Sequence, residues 1–116
     1  MKHFTIQEFA CKCKSPCAGK KPQMDPVLLA ALDDLREAYG APLTITSGLR
    51  CDSHNAAVRG SKRSQHLAGT AADITCSDLQ LLLKLASLDQ RFTGIGVSGV
   101  FLHLDARPGK RVLWRY

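Results

Sequence analysis

The sequence predicts an α+β fold, in which helices pack on a small, mostly antiparallel sheet. The first two thirds of the chain alternate between helical apolar periods and short β-branched segments. The last third contains short apolar runs separated by Ser-Gly and Pro-Gly turns, which are typical of paired strands. A length of 116 residues with 45% hydrophobic residues suits one domain over residues 1–116.

Capping residues predict the first two helical segments. Thr5 and Glu8 have the spacing of a capping box, which predicts one short helical turn. Asp25 and Pro26 form a helix start, because the first turn of a helix does not need the N–H that proline lacks. The apolar positions that follow repeat at helical spacing, and Gly40 ends the pattern.

Two more helices are predicted further along the chain. Asp52 is expected to cap a short helix that stops near Gly60. Ser77 begins a second capping box, which opens a leucine-rich helix through about Leu88. The predicted strands are residues 43–46, 71–75, 94–97, 100–105 and 111–116. We expect the last three of these strands to be antiparallel.

The formal net charge of +6 favours polyanionic surroundings. No nucleic-acid partner is expected, because the basic clusters are not interleaved with aromatic residues. No run approaches the roughly 20 apolar residues of a membrane span, so no membrane partner is expected either. The start of the chain lacks the apolar stretch of a signal peptide, and we expect synthesis in the cytoplasm without an export signal.

The chain has five cysteines, which are Cys11, Cys13, Cys17, Cys51 and Cys76. An odd number argues against a complete disulfide framework. The first three, in a predicted surface loop over residues 11–22, could give thiolates to a structural zinc, with a fourth ligand from Cys51, Cys76 or a histidine. The familiar C-x2-C spacing is absent, however, and reduced thiols or a single bridge are favoured because cytosolic thiols stay reduced.

The strand predicted at residues 100–105 carries a candidate chemical pair. Its period of two puts Val100 with Leu102 and Leu104 on one face, and Phe101 with His103 and Asp105 on the other. A histidine beside a carboxylate can be two metal ligands, a ligand with the carboxylate that orients it, or a general acid-base pair. The alternative is a half-exposed strand with polar residues toward water.

His66 and Asp73 form a second candidate group. Asp73 lies in an apolar strand, where an unpaired carboxylate would be costly without a cation or hydrogen bonds. With His103 these residues would make a two-histidine, one-carboxylate zinc site with an open position for water. A hydrogen-bonded Asp73 with surface histidines remains the alternative. Arg50 follows a glycine turn, and its planar fork could bind a carboxylate, although a lone arginine is more often a surface ion-pair residue.

Three motifs together resemble the zinc D-alanyl-D-alanine carboxypeptidase family. They are Ile45-Thr46-Ser47-Gly48-Leu49-Arg50, Ser64-x-His66-x2-Gly69-x-Ala71-x-Asp73 and Phe101-x-His103-x-Asp105. The Phe-Thr-x-x-Glu-Phe-like start, the segment Arg50-Cys51-Asp52-Ser53-His54-Asn55 and the Trp114-Arg115-Tyr116 tail look closest to the compact branch found in phages and prophages. The resemblance covers nearly the whole chain and implies a fold with the metal-site architecture of the Hedgehog signalling domain.

The resemblance also implies roles for individual residues. One zinc ion per chain would be held by His66, Asp73 and His103. Arg50 would lie near the carboxylate or scissile carbonyl of the substrate, in a substrate pocket with Ser47, Ser64 and Gln65. Better-known members have an acidic base three positions before the last zinc histidine, or a second histidine two positions before it. Here those positions are Val100 and Phe101, so Asp105 is the nearby candidate for the catalytic base, with orientation of His103 or binding of Arg107 as its alternative roles.

The function expected from this resemblance is hydrolysis of a peptide bond in bacterial peptidoglycan stem peptides. The enzyme would be a zinc-dependent D-Ala-D-Ala carboxypeptidase or an endopeptidase, endolysin-like, and a monomer. It would act on the cell wall after release or as part of a phage particle. The alternative is a non-catalytic zinc-containing module that binds the wall or builds the virion, and a fainter one is a small basic nucleic-acid-binding protein.

Overall fold

The computed structural model describes residues 1–13, 17 and 21–116. A short 3₁₀ turn (Ile6–Phe9) precedes helices α1 (Pro26–Tyr39), α2 (Asp52–Ala57) and α3 (Leu79–Ser87). The strands are β1 (Thr44–Ser47), β2 (Ala71–Thr75), β3 (Gly94–Val97), β4 (Leu102–Asp105) and β5 (Val112–Arg115). The predicted α+β fold is confirmed. Of the loop predicted over residues 11–22, positions 14–16 and 18–20 lie outside the described residues.

The five strands form one sheet in the order β1-β2-β4-β3-β5. The pairs β1–β2, β2–β4 and β3–β4 are antiparallel, so the mostly antiparallel sheet was predicted correctly. The expectation that the last three strands are all antiparallel was wrong, because β5 pairs with β3 in the parallel direction. β4 already pairs with β2 on one side and with β3 on the other. Residues 106–111 therefore carry the chain past β3, and β5 pairs along the outer edge of β3.

The helix starts follow local hydrogen bonding. The Glu8 carboxylate accepts from the Thr5 amide at 2.6 Å, as the capping box predicts. Asp25 caps α1 as predicted, and the helix ends at Gly40 in the left-handed conformation, with φ 77°. The caps predicted for the other two helices were each wrong by one residue. The Cys51 side chain caps α2 in place of Asp52, and the Asp78 side chain caps α3 in place of Ser77.

The sheet has one apolar face and one polar face at its centre. Ala72 and Ile74 of β2 and Leu102 and Leu104 of β4 are buried in the core beneath α1 and α3. Side chains alternate along a strand, so the residues between them point to the opposite face. That face carries Asp73, His103 and Asp105, also buried. Within the described residues, no helix combines the length and apolar character needed to cross a bilayer.

Candidate active site

Three side chains with metal-binding atoms meet on the polar face of the sheet. His66 Nε2 lies 3.1 Å from Asp73 Oδ1, and His103 Nδ1 lies 2.9 Å from the same oxygen. The potential ligand atoms of His66, Asp73 and His103 all lie within 4.8 Å of one another, and all three residues are buried. The structure therefore brings together the three residues that the sequence assigned to zinc.

The sheet register and one loop position these side chains. Asp73 of β2 and His103 of β4 are direct cross-strand partners, which places their side chains next to each other on one face. His66 comes from the loop before β2, and its carbonyl accepts from the Arg50 amide at 3.0 Å. The β1–β2 register shifts between Ile45 and Ser47, a bulge of the kind that redirects chains beside active sites.

The outer nitrogen of each histidine ring has a fixed acceptor. His66 Nδ1 lies 2.7 Å from the Gly48 carbonyl, and His103 Nε2 lies 2.7 Å from Asp105 Oδ2. Since a carbonyl and a carboxylate can only accept, those ring nitrogens carry the protons. The inner nitrogens, His66 Nε2 and His103 Nδ1, then present lone pairs toward the Asp73 carboxylate. Because these two nitrogens and the carboxylate oxygen are all acceptors, only a cation or added protons between them can make the contacts favourable. Two imidazole nitrogens and a carboxylate oxygen are a fitting donor set for zinc with an open position.

Electrostatics reflect this arrangement of acceptors. Burial raises the pKa of Asp73. Hydrogen bonds from His103 and His66, formed when added protons occupy their inner nitrogens, outweigh burial and hold the pKa well below the ordinary value. Burial lowers the pKa of His103, and hydrogen bonds with Asp105 and Asp73 reverse this, so that the His103 pKa is raised. The site thus favours a negative Asp73 and a positive charge between the ligands.

Asp105 is fully buried and both of its carboxylate oxygens are engaged. Besides its contact with His103, it accepts from Arg107 Nε at 2.9 Å through Oδ1 and from Arg107 Nη2 at 2.7 Å through Oδ2. Burial raises the pKa of Asp105, but the hydrogen bonds with His103 and Arg107 lower it to about 2. The carboxylate is therefore a permanent acceptor that orients the His103 ring.

Arg50 is held by three acceptors. Its Nε donates to Ser47 Oγ at 3.0 Å, its Nη1 to Asn55 Oδ1 at 3.2 Å and its Nη2 to Asp73 Oδ2 at 3.2 Å. The guanidinium thus binds the carboxylate oxygen that the histidines do not contact. A Cβ on Gly60 would lie 2.1 Å from Asn55 Oδ1, so a glycine is required behind this acceptor.

An open cleft of about 630 Å³ lies over these residues. Its lining is Arg50, Val58, Arg59, Gly60, Ser61, Arg63, Ser64, Gln65, His66, Asp73, Phe101, His103, Arg107, Trp114 and Tyr116. Ser64 and Gln65 line the cleft as the family resemblance implies. Ser47 does not, and instead accepts a hydrogen bond from Arg50. The Val100 side chain lies outside this lining and is exposed, whereas Phe101 lines the cleft.

Trp114 and Tyr116 also line the cleft, although neither was predicted as a site residue. The Trp114 ring lies 5.1 Å from the His103 ring between centroids, and the Arg107 guanidinium lies 5.0 Å from the Trp114 centroid. Added Cβ atoms on Gly94 and Gly96 would lie 2.1 Å from Asp105 Oδ1 and 2.6 Å from Trp114 Cε2. Alternating glycines in a strand were the available signal, since they mark close approach on one face.

A family model described as Peptidase M15 matches residues 2–105. The chain belongs to the Peptidase M15 family. This confirms the resemblance to the zinc D-alanyl-D-alanine carboxypeptidases, and M15 membership supports a zinc metallopeptidase that acts on peptidoglycan. No curated protein matches the chain. The His66, Asp73 and His103 group of this M15 chain fits the metal requirement of the family.

Proposed function

We propose that this M15 peptidase hydrolyses a peptide bond in peptidoglycan stem peptides, at or next to a D-alanine residue. The observation that carries the proposal is that His66, Asp73 and His103 line an open cleft whose other charged lining residues are arginines. A metal-type donor set beside open space is the arrangement of catalytic zinc sites. Stem peptides are acidic, which suits a cationic cleft.

His66 Nε2, His103 Nδ1 and Asp73 Oδ1 would hold the zinc ion. When bound, zinc supplies polarisation of the scissile carbonyl and a more acidic water. The protein's own contribution is orientation. The Gly48 carbonyl and the Asp105 carboxylate fix the two rings, so the ligands need little reorganisation.

Arg50 is proposed to stabilise negative charge on the substrate. Its guanidinium lines the cleft and is held in place by Ser47, Asn55 and Asp73. Fixed donors aimed at developing charge lower an acyl-transfer barrier, because they need no reorientation during the reaction. The carbonyl oxygen or a terminal carboxylate of the peptide would accept from this side chain.

Arg59 and Arg63 are proposed to bind substrate carboxylates at the cleft. Among the described residues, neither has an ion-pair partner, although both line the cleft. Arg59 also has a left-handed backbone, with φ 58°, which is an unfavourable conformation for a side chain of its size. Such cations can select acidic peptides without contacting the reacting bond.

Asp105 is proposed to position His103 rather than to transfer the proton itself. Its oxygens are engaged by His103 and Arg107, and it does not contribute to the described lining of the cleft. The assignment of Asp105 as the base therefore stays a prediction from the sequence, and its contacts favour the alternative role.

A second candidate function is a non-catalytic zinc module that binds the wall or builds the virion. The observation that favours it is the lack of a second carboxylate in the described cleft lining, where Asp73 is already a proposed metal ligand. The positions used for the base in other members hold Val100 and Phe101. Such a module would bind zinc and bind wall material without turnover.

Mass spectrometry of purified muropeptides decides between these functions. The zinc-loaded protein is incubated with cross-linked and uncross-linked muropeptides, with a chelated sample as the control. Metal-dependent loss of D-alanine supports a carboxypeptidase, and conversion of dimers to monomers supports an endopeptidase. Unchanged muropeptides, with zinc confirmed at the site and several wall chemotypes tried, would overturn the enzymatic proposal and favour the module.

The lytic, phage-type role is the most specific part of the proposal, and it rests on the resemblance to the compact branch found in phages and prophages. It requires cleavage of cross-links, because trimming of free peptide ends leaves the wall intact. Purified sacculi should therefore lose turbidity with the wild-type protein and keep it with His66→Ala. Stable turbidity together with released D-alanine would contradict the lytic role and retain the peptidase.

A further inference from the structure

Four of the five cysteines form a second cluster, and none of them lines the cleft. Cys11, Cys13 and Cys17 come from the segment that follows the 3₁₀ turn, and Cys51 comes from the loop between β1 and α2. Their four sulfur atoms lie within 4.8 Å of one another. Cys76, at the end of β2, is not part of the cluster. Two segments that are distant in sequence thus bring four thiol groups together.

The spacing of the sulfurs fits a metal better than disulfides. Cys11 Sγ and Cys51 Sγ are 3.7 Å apart. Four sulfurs at about 2.3 Å from a tetrahedral zinc are about 3.8 Å from each other. A disulfide needs about 2.05 Å between its sulfurs and joins two residues, so it does not explain why four gather in one place.

Backbone donors point at two of the sulfurs. The Cys51 amide donates to Cys11 Sγ at 3.4 Å, and the His54 amide donates to Cys51 Sγ at 3.4 Å. Such donors stabilise negative charge on sulfur and so favour the thiolate form that binds metal. Four thiolates this close repel one another strongly unless a cation lies between them.

We propose that Cys11, Cys13, Cys17 and Cys51 bind a second, structural zinc ion. Four thiolates leave no open position, which distinguishes this site from the three-donor group at the cleft. The assignment is independent of the proposed peptidase function, because it uses none of the cleft residues. It also replaces the preference for reduced thiols or a single bridge, which rested on the reduced state of cytosolic thiols and on the absence of the C-x2-C spacing.

The ion would fasten the N-terminal segment to the loop that carries Arg50. These segments already touch, since the Leu49 amide donates to the Phe9 carbonyl at 2.9 Å. A Cβ on Gly48 would lie 2.6 Å from that same carbonyl oxygen, so the contact leaves no room for a side chain. Cys11 lies two residues after Phe9 and Cys51 directly follows Arg50, so the metal would lock this contact beside the active site.

The test is a count of bound zinc after reconstitution under reducing conditions. The wild-type protein should bind two zinc ions per chain by elemental analysis. Cys51→Ser should bind one, and serine keeps the cap of α2 because its hydroxyl also accepts from a backbone amide. Cys76→Ser is the matched control and should bind two. The double variant His66→Ala, His103→Ala should keep the thiolate-bound ion.

Cobalt substitution identifies the ligands without any activity measurement. Cobalt at the cysteine site should give the intense near-ultraviolet absorption of thiolate-to-metal charge transfer. The absorption should be lost in Cys51→Ser and kept in Cys76→Ser and in the double histidine variant. Amide exchange at Leu49 should rise in Cys51→Ser, since its acceptor segment is released.

Titration of the wild-type protein with a mercurial thiol reagent covers the case in which the variants fail to fold. Modification of the clustered cysteines should release one of two zinc ions while the histidine-bound ion stays. A single zinc ion in the wild-type protein with no thiolate absorption from cobalt would overturn the proposal. So would disulfides among these four cysteines in the freshly isolated protein, detected as a mass deficit that reduction restores.

Discussion

The two candidate metal groups of this chain differ in donors and in access. His66, Asp73 and His103 are buried on the sheet, carry three donors and border an open cleft. The cysteine cluster is half-buried, carries four sulfurs and lies where two loop segments meet. A position left open by the protein permits substrate chemistry, whereas a closed set of four thiolates contributes to folding. The donor count therefore distinguishes a candidate catalytic metal site from a candidate structural metal site within one small protein.

The largest expected effect comes from removing a ligand at the cleft. His103→Ala should lose the zinc of this site and lower kcat/KM at least about a thousandfold, equivalent to about 4 kcal/mol of transition-state stabilisation. His54→Ala is the matched control, because the His54 side chain does not line the cleft. Elemental analysis and muropeptide hydrolysis measure both consequences. Full turnover by His103→Ala would contradict the site assignment.

Stepwise chelation should separate the two groups in the wild-type protein. A mild chelator should first abolish hydrolysis with a small change in Tm, because three donors bind zinc less tightly than four thiolates. Removal of the thiolate-bound ion should then cost about 4 kcal/mol of unfolding free energy, if free zinc was about a thousandfold above its Kd. Calorimetry and hydrolysis rates are followed in the same titration. Loss of both properties at one chelator concentration would contradict the division of roles.

Asp105→Asn tests how the His103 ring is oriented. The amide keeps the size of the side chain but loses the charge that binds His103 and Arg107. We expect zinc affinity to fall about 10- to 100-fold, with turnover largely restored at saturating zinc. Competition with a chromophoric chelator gives the affinity. Normal zinc affinity with lost turnover would instead support Asp105 as the base.

Gly94→Ala tests the space that β3 leaves for this carboxylate. The new Cβ would lie 2.1 Å from Asp105 Oδ1, so the buried Asp105 side chain would have to move. We expect a loss of about 1–3 kcal/mol in unfolding free energy, as in other overpacked interiors. Gly99→Ala is the control, because a Cβ there meets no atom within 4 Å. Denaturant unfolding compares the two, and equal stability would show that Asp105 can relocate freely.

The smallest expected effect is at the cationic part of the cleft. Arg63→Gln should raise KM for acidic stem peptides about fivefold, equivalent to about 1 kcal/mol, and leave kcat unchanged. Arg36→Gln on α1 removes the same charge away from the cleft and should leave KM unchanged. Initial rates across a range of substrate concentrations separate the two constants. An equal rise in KM for both variants would show that Arg63 acts only through the net charge of the protein.

Local patterns predicted most of the fold. The boundaries of α1 follow from Asp25, Pro26 and Gly40, because capping and backbone conformation act within a few residues. The alternation in β2 and β4 correctly separated the core residues from Asp73 and His103. The direction of β5 was wrong because strand pairing depends on where residues 106–111 carry the chain, which local periodicity does not encode.

Prediction of the site had a similar limit. His66, Asp73 and His103 could be grouped because a buried charge on a strand requires a partner, and the family resemblance implied the same three ligands. Trp114 and Tyr116 reach the cleft through the β3–β5 pairing. The alternating glycines of β3 indicate a close approach on that face but do not identify the residues that approach. The sequence likewise did not decide which residue joins Cys11, Cys13 and Cys17, because Cys11 and Cys51 are 40 residues apart in the chain.

The sheet order β1-β2-β4-β3-β5 also bears on how fast the protein folds. Asp73 and His103 become neighbours only when β2 pairs with β4, after the intervening α3 and β3 have been enclosed in a loop. Closing such loops lowers chain entropy before the stabilising contacts form, so folding should be slow compared with a helical bundle of equal size. His66 and Asp73 are close in sequence, so this pair could bind a metal ion early in folding. His103 would complete the ligand set only after β2 has paired with β4.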